Sequence, residues 1–417
     1  MDNTKLATNK SLLAKRLSLP DQLCKKLFIK VLSQIKRGHL VMHHAGETHT
    51  FGQIDGTIDA EINIHKNSVF SDFVLGGSLG CGESYIRGEW TSNNLSEFIR
   101  LFAANMDVVD KIDGFLPRLI NPFLRGLHWL SRNTRTGSRK NIEAHYDLGN
   151  DFFELFLDET MMYSSAIYPN EDATLYEAQQ FKLKTICDKL KLQSDDHLLE
   201  IGTGWGALAI FAAENYDCRV TTTTLSQEQY NKAVERVKEK NLEDKITVLM
   251  QDYRDLDGQF DKLVSIEMIE AVGHEYLPNY FSSCSNLLKD DGLFLMQVIT
   301  IPDQRYDSAR KEVDFIKRYI FPGSCIPSVE RVMSCVRSDS DMRLLDHRDY
   351  TGDYERTLNH WGKNLQNHRA RIKEMAGEDF LRMWEMYFAY CEGGFSERVI
   401  GVAQMVFAKP HNKTELR

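Results

Sequence analysis

The chain has 417 residues, and its 51 Lys and Arg residues against 60 Asp and Glu residues give a formal net charge of −9. That length predicts two or three domains at roughly 150 residues each. Apolar residues make up 42% and charged residues 27% of the sequence, as in globular proteins, so disordered and fibrous classes are excluded. The acidic balance argues against bulk nucleic-acid binding, which depends on neutralising phosphates.

Sequence features bearing on location point to the cytoplasm. The mean hydropathy is −0.39, and no run of about 18 uninterrupted apolar residues exists, so we expect no membrane span. The first 23 residues mix lysines and an arginine among apolar residues, without the apolar core or cleavage site of a signal peptide. The eight cysteines are scattered without a Cys-x-x-Cys pair, which predicts reduced thiols and no metal site.

Residues 1–112 form the first predicted domain, a small α+β unit. Residues 23–36 have the apolar spacing of a basic helix. Residues 39–65 alternate between apolar and polar side chains, as antiparallel strands do, with turns predicted at Gly46 and Gly56.

Residues 113–140 interleave apolar and aromatic side chains, such as Phe123 and Trp129, with arginines such as Arg125 and Arg132. This mixture is typical of a helix lying in a lipid headgroup layer, where rings insert and arginines meet phosphates. The second interpretation is an interdomain helix with a solvated basic face.

Residues 141–417 form the last predicted domain, in which apolar strands alternate with amphipathic helices. That alternation predicts an α/β fold, a doubly wound, Rossmann-like parallel sheet. Residues 303–396, between the fifth and the last predicted strand, are mostly helical in pattern and rich in aromatic residues. We expect them to form a helical lid insertion over the carboxyl ends of the strands, where such folds bind ligands.

A glycine-rich loop, in the segment LLEIGTGWGALAIF, is the strongest local signal. An apolar strand ends at Glu200, and Gly202, Gly204 and Gly206 precede a helix. Glycines let the backbone turn tightly and approach a ligand, and the N-terminus of the next helix offers free N–H groups. The alternative is that these glycines only make a tight packing turn.

Two details of this region favour S-adenosylmethionine over NAD as the ligand. The glycine spacing is Gly-x-Gly-x-Gly and not Gly-x-Gly-x-x-Gly. Asp252 follows the third strand, where an acid can hydrogen-bond an adenine amino group, whereas Thr224 and Gln229 follow the second strand as predicted ribose or methionine contacts. The aromatic faces of Tyr146 and Trp205 suit a sulfonium.

Eight segments together resemble the cyclopropane fatty acid synthases and the related mycolic acid methyltransferases. They are HYDLGNDFFELFLD, MMYSSAIYP, EAQQFKLKTICDKLKL, IGTGWG, LSQEQ, QDYRDL, FDKLVSIEMIEAVG and YIFPGSCIPS. The resemblance covers about residues 140–410 and extends more weakly into LGCGESYIRGEW, in what resembles a lipid-handling domain. It implies an S-adenosylmethionine-dependent methyltransferase that acts on the double bond of unsaturated phospholipid acyl chains, peripherally at the inner face of the membrane.

The resemblance also implies a catalytic set. In the family, methyl transfer leaves a carbocation on the acyl chain, and a bicarbonate held by a Cys, a Glu, a His and a Tyr removes a proton so that a ring closes. The matching positions here are Ser165, Glu270, Gln297 and Tyr354. Serine thus replaces the cysteine, and glutamine, which carries no charge and shuttles no proton, replaces the histidine. With these replacements we expect bicarbonate, the second cofactor that the resemblance implies, to bind more weakly.

These replacements leave the product open. The cation can close to a cyclopropane, or it can give a methylene branch that a partner oxidoreductase would reduce to a methyl branch. A small-molecule methyltransferase and a non-catalytic lipid-binding protein are the remaining alternatives, and a homodimer is a further expected partner. The residues predicted to hold the cofactor are Tyr146, Ser164, Glu200, Gly202, Gly204, Trp205, Gly206, Thr224, Gln229, Asp252 and Tyr253.

Overall fold

The computed structural model describes residues 19–54, 56–108 and 149–415. Contacts divide the chain into two compact units. The first unit contains the described residues before 109 together with Val313–Phe315 and Arg369–Glu397, and the second contains the other described residues. The predicted basic aromatic segment, residues 113–140, lies outside the described residues.

The helices and strands alternate along most of the chain. In chain order they are α1 (Leu19–Leu32), β1 (His39–His44), β2 (Glu47–Gly52), β3 (Asp59–Ile64), α2 (Ser68–Ile86), β4 (Trp90–Thr91), α3 (Leu95–Ala104), α4 (Asn150–Phe153), α5 (Leu175–Leu190), β5 (His197–Ile201), α6 (Ala207–Tyr216), β6 (Arg219–Thr224), α7 (Gln227–Glu239), β7 (Ile246–Met250), β8 (Phe260–Ile266), α8 (Leu277–Leu287), β9 (Leu288–Thr300), α9 (Asp303–Ala309), α10 (Val329–Asp339), β10 (Arg343–Asp349), α11 (Thr351–Asn367), α12 (Arg369–Ala376), α13 (Glu378–Ser396) and β11 (Gly401–Ala408).

The first unit contains a four-stranded sheet in the order β2-β1-β3-β4. Strands β1 and β2 form an antiparallel hairpin that turns at Gly46, whose φ of 82° suits glycine. The predicted antiparallel pairing is wrong for β3, which runs parallel to β1. The hairpin brings the chain back to the N-terminal end of β1. Strand β3 begins at that same end, on the other side of β1, and therefore runs parallel to β1.

The glycine-dense segment that follows is helix α2, which bends at Gly77 (φ 54°, ψ −138°). Beyond the bend, a Cβ atom on Gly80 would lie 2.1 Å from the carbonyl oxygen of Asp72. The two halves of α2 therefore approach so closely that a side chain at Gly80 would collide with the backbone.

Helix α13 belongs to the first unit and packs against α3 and α2. A Cβ on Gly393 would lie 2.9 Å from the backbone nitrogen of Arg100, so the two helices approach closely. The buried Tyr85 hydroxyl donates a hydrogen bond of 2.9 Å to Glu385. Residues 369–396, which the sequence analysis assigns to the helical lid of the last domain, thus belong to the first unit.

The second unit is built on a seven-stranded sheet in the order β10-β11-β9-β8-β5-β6-β7. Strands β5 to β9 pair in parallel, and β11 pairs antiparallel with β9 and with β10. This topology confirms the predicted doubly wound α/β fold. Strand β10 lies inside the segment predicted to be helical. The sequence analysis missed it because the residues of this edge strand are partly exposed and charged, so they do not alternate between apolar and polar side chains.

The strand order creates one reversal point in this sheet. The chain passes from β5 to β6 and β7 on one side and returns through β8 and β9 on the other. The carboxyl ends of β5 and β8 are therefore neighbours, and the connections that follow them diverge. Open α/β sheets bind ligands at such a point.

Two further properties complete the fold. Within the described ranges, no helix combines the length and apolar character needed to cross a bilayer. All eight cysteines are free thiols.

The start of α5 provides a test of local stability. Thr174 Oγ1 accepts from the Glu177 N–H, and Glu177 Oε2 accepts from the Thr174 N–H at 2.8 Å, which is a capping box. Thr174→Ala should lower the free energy of unfolding by about 1 kcal/mol, measured by urea denaturation. Thr185→Ala on the same helix is the control, since its exposed hydroxyl only bonds the Phe181 carbonyl. Equal losses in both variants would contradict the assignment.

Candidate active site

The glycine loop adopts a conformation that only glycine adopts readily. Gly202, Gly204 and Gly206 have φ values of 96°, 52° and 87°. A Cβ atom on Gly204 would meet nothing within 4 Å, so open space lies above the loop. Helix α6 follows at once, and no side chain caps its N-terminus. Open space above Gly204 thus lies beside a helix N-terminus that no side chain caps, and both fit S-adenosylmethionine.

Glu200 lies in β5, beside the start of this loop. The residue is buried, and its Oε2 accepts a hydrogen bond of 2.6 Å from Thr222 Oγ1. Burial raises the pKa of Glu200 to about 8, although the hydrogen bonds oppose the shift. A cationic amino group beside it would favour its charged form.

Three polar residues predicted to contact the cofactor already have protein partners. Thr224 Oγ1 donates to Gln229 Oε1 at 2.8 Å, and both side chains are buried. The Asp252 carboxylate accepts from Arg254 Nε at 2.8 Å and from Arg254 Nη2 at 2.6 Å. These residues shape the turns after β6 and β7.

The predicted aromatic contacts are placed differently from one another. Trp205 is buried, and its Nε1 donates to Asn150 Oδ1 at 2.6 Å. Tyr253 packs edge-on against Tyr280, with ring centroids 5.5 Å apart, and burial raises its pKa. Tyr146 lies outside the described residues.

A carboxylate that the sequence analysis missed lies at the centre of the predicted catalytic set. Glu267 follows β8, and its Oε1 accepts from the Ser165 N–H at 2.9 Å and from Gln297 Nε2 at 2.8 Å. Its Oε2 accepts from the Tyr354 hydroxyl at 2.7 Å. Three of the four predicted catalytic residues therefore converge on one side chain. We call Glu267 with Ser165, Gln297 and Tyr354 the carboxylate cluster.

The Gln297 amide is oriented by contacts on both of its ends. Its Nε2 also donates to the Ser165 carbonyl at 3.0 Å, and its Oε1 accepts from Gln404 Nε2 at 3.1 Å. Gln297 and Gln404 are both buried, and they are paired across β9 and β11. The amide nitrogen of Gln297 is thereby directed at Glu267.

Glu267 has a strained backbone. Its φ is 48°, in the left-handed region that non-glycine residues seldom occupy. Such a conformation costs of order 1–3 kcal/mol and persists where the surroundings hold it, often at functional sites. A glutamate directly after a buried strand was the available sequence signal, but the family pattern drew attention to Glu270, three residues later.

Lys182 is a second buried charged residue beside the cluster. It lies in α5, is fully buried, and its Nζ donates to Ser164 Oγ at 2.7 Å. Burial lowers the pKa of Lys182 to about 7, while the charges of Glu267 and Asp158 oppose that shift. Ser164, predicted to contact the cofactor, thus has a buried lysine as a hydrogen-bond partner.

Glu270 occupies a short 3-10 helix, Ile269–Ala271, next to the cluster. Its Oε1 accepts from the Ile299 N–H at 2.5 Å, while Oε2 has no hydrogen-bond partner among the described residues. Burial, reinforced by the charge of Glu267, raises the pKa of Glu270 to about 8. A carboxyl with an unused oxygen therefore faces the same region.

Aromatic rings stand beside Tyr354 and form a continuous apolar wall. Trp361 lies edge-on to Tyr354 with centroids 6.3 Å apart, and Tyr163 lies 5.3 Å from Trp361. Tyr163 also contacts Phe153 and Phe321 at 5.4 and 6.3 Å. We call Phe153, Tyr163, Phe321 and Trp361 the aromatic wall.

The part of the chain that the structure describes contains no cluster of His, Cys, Asp and Glu residues that could hold a metal ion.

Comparisons with known proteins identify the family. Residues 133–405 match the family model described as mycolic acid cyclopropane synthetase. The chain belongs to this family. It is 36% identical over 347 residues to the tuberculostearic acid methyltransferase of Mycobacterium tuberculosis. The aligned region covers 79% of this chain and 78% of that protein.

Two cyclopropane synthases also match this chain. The chain is 36% identical over 360 residues to the cyclopropane-fatty-acyl-phospholipid synthase of Escherichia coli K12, covering 85% of this chain and 90% of that protein. A mycolic acid cyclopropane synthase solved in complex with SAH and CTAB aligns with a TM-score of 0.62 and 33% identity, covering 65% of this chain and 98% of that one. The resemblance inferred from the sequence is confirmed, and the chain is an S-adenosylmethionine-dependent methyltransferase.

The raised pKa of Glu270 gives a pH-dependent stability. Because its folded pKa, about 8, exceeds the ordinary value of 4.5, the folded chain binds more protons between these values, and this carboxyl lowers stability as pH rises. Glu270→Gln removes this pH-dependent loss of stability, because glutamine does not titrate. The unfolding free energy of the variant relative to the parent should therefore increase by a few kcal/mol from about pH 5 to about pH 8.

Urea denaturation of both chains at the two pH values measures this change. Glu243→Gln, at an exposed position, controls for removing a carboxyl as such. A difference between Glu270→Gln and the parent that is the same at both pH values would contradict the assignment.

Proposed function

We propose that the chain methylates the double bond of unsaturated phospholipid acyl chains. The observation that carries this proposal is a buried carboxylate cluster next to an aromatic wall, beside the glycine loop. An alkene has no acidic proton to remove before attack, so its enzyme needs a base only after methyl transfer. An apolar wall and a sheltered base are suited to that sequence.

The glycine loop is proposed to hold the cofactor. The N–H groups around Gly204 and the start of α6 would contact its polar groups, and Glu200 would lie near its amino group. When bound, S-adenosylmethionine supplies a methyl group as an electrophile, and its C–S bond breaks with the electron pair left on sulfur. Trp205, held by Asn150, fixes the shape of the loop.

The aromatic wall is proposed to receive the acyl chain. Each CH2 buried there is stabilised by about 0.8 kcal/mol. The ring faces of Tyr163 and Phe321, which keep some accessible surface, would also attract the positive charge that forms on the chain. Water excluded by the rings cannot trap that cation as an alcohol.

The first unit and residues 113–140 are proposed to bring the enzyme to the membrane surface. Helix α1 exposes Leu23 and Leu27, with 69% and 42% of their surface accessible, beside Lys26 and Lys30. Apolar and basic side chains together suit an anionic lipid surface.

The reaction is tested on vesicles. The full chain is incubated with S-adenosylmethionine carrying a deuterated methyl group and with vesicles of unsaturated or saturated phosphatidylglycerol. Mass spectrometry should show one added labelled CH2 on unsaturated acyl chains and no change on saturated ones. Ozonolysis then separates the products, because a ring resists it and a methylene branch is cleaved. Label transfer only to soluble amines or alcohols would overturn the proposal.

Gly204→Val tests the cofactor loop. Valine at a φ of 52° costs roughly 1–2 kcal/mol and fills the open space above the loop. We expect S-adenosylhomocysteine binding, measured by isothermal titration calorimetry, to weaken at least about tenfold, which is 1.4 kcal/mol. Gly362→Val is the matched control, since it also has open space but lies in α11 at an ordinary φ. Unchanged binding by Gly204→Val refutes the loop assignment.

A further inference from the structure

The place of a bound anion is already filled in this chain. The positions that match the bicarbonate-holding residues of the family include Ser165, Gln297 and Tyr354. Gln297 and Tyr354 donate to the Glu267 carboxylate through their side chains, and Ser165 donates to it through its backbone N–H. A bicarbonate that took these donors would leave Glu267 buried without them. Removing the partners of a buried charged group costs more than a typical hydrogen bond contributes. The residues present therefore do not fit a bicarbonate.

We infer that the carboxylate of Glu267 is the catalytic base of this methyltransferase and that the enzyme works without bicarbonate. The inference rests on the proposed function, since it assigns the base for that reaction. It also accounts for the glutamine at position 297, because a neutral amide is sufficient to orient a base that is part of the chain.

The surroundings of Glu267 contain several groups that favour its ionised form. Three donors favour the ionised form, and Lys182 adds a positive charge from α5, opposing the effect of burial. Burial nevertheless raises the pKa of Glu267, which makes it a stronger base than an exposed carboxylate. The residue is not completely enclosed, since part of its surface remains accessible.

The proton transfer balances without any further reagent. After methyl transfer, the acyl chain carries one positive charge next to the carbon that received the methyl group. A Glu267 oxygen takes one proton from that methyl group, and the C–H electron pair forms the third bond of a cyclopropane ring. If a hydride first moves from the methyl-bearing carbon to the adjacent cation, the charge lies on the methyl-bearing carbon, and the same C–H pair forms the C=CH2 double bond of a methylene branch instead. In both cases the product is neutral, and Glu267 later releases the proton to water.

The backbone at Glu267 allows an informative pair of variants. Glu267→Gln keeps the shape of the side chain but removes its basicity. Glu267→Gly relieves the left-handed backbone, which glycine adopts freely, and leaves the three donors facing an empty, anion-sized space. Glu267→Gln should remain inactive with or without bicarbonate, whereas Glu267→Gly should bind bicarbonate.

The experiment uses carbonate-stripped buffer under argon, with and without added sodium bicarbonate. Turnover of the parent on unsaturated vesicles should be the same in both. Glu267→Gln should lose turnover at least about a hundredfold in both, which is 2.7 kcal/mol of transition-state stabilisation. Glu267→Gly should be as inactive as Glu267→Gln without bicarbonate, and its turnover should rise at least about tenfold when bicarbonate is added. Glu243→Gln, an exposed glutamate, controls for charge.

Two binding measurements keep the inference separate from the proposed reaction. Calorimetry with S-adenosylhomocysteine should give near-parent affinity for both Glu267 variants, which shows that they fold. The 13C NMR line of labelled bicarbonate should broaden with Glu267→Gly and not with the parent.

Three outcomes would overturn the inference. They are a parent enzyme that needs bicarbonate for turnover, a parent that binds bicarbonate, and a Glu267→Gln variant that retains turnover. If the parent methylates no lipid, the proposed function fails, while the bicarbonate-binding result still decides whether the carboxylate occupies the anion position.

Discussion

The hydrogen bonding of one buried carboxylate organises the active site of this methyltransferase. Glu267 receives donors from a loop before α5, from β9 and from α11, three elements that are far apart in sequence. Each donor leaves solvent on folding, and each recovers a hydrogen bond to a charged group. Since a charge-assisted hydrogen bond is stronger than a neutral one, these contacts also fix where the three elements lie relative to β8.

Two acids and one lysine share this low-dielectric region and influence one another. Lys182 favours the charged form of Glu267, and the charge of Glu267 in turn raises the pKa of Glu270. The pKa values of both carboxyls are raised by burial, and coupled groups with shifted pKa values are typical of catalytic sites.

Much of the architecture could be predicted from the sequence, because the alternation of strands and helices and the glycine loop are local signals. Strand β10 and the assignment of α13 to the first unit could not, since both depend on partners distant in the chain, such as Gly393 against Arg100. In the site, the family resemblance predicted Ser165, Gln297 and Tyr354 as catalytic residues. It did not lead to Glu267, because only the fold brings those three donors to its oxygens.

Strand β11 has a consequence for the order in which this enzyme matures. It is the last strand, yet it lies between β9 and β10 and supplies Gln404, which holds the Gln297 amide. A nascent chain lacks that strand until residues 401–408 have been synthesised. Its sheet is until then open at β9, and Gln297 Oε1 lacks the hydrogen bond that Gln404 donates. The orientation of the Gln297 amide is therefore completed only when β11 enters the sheet between β9 and β10.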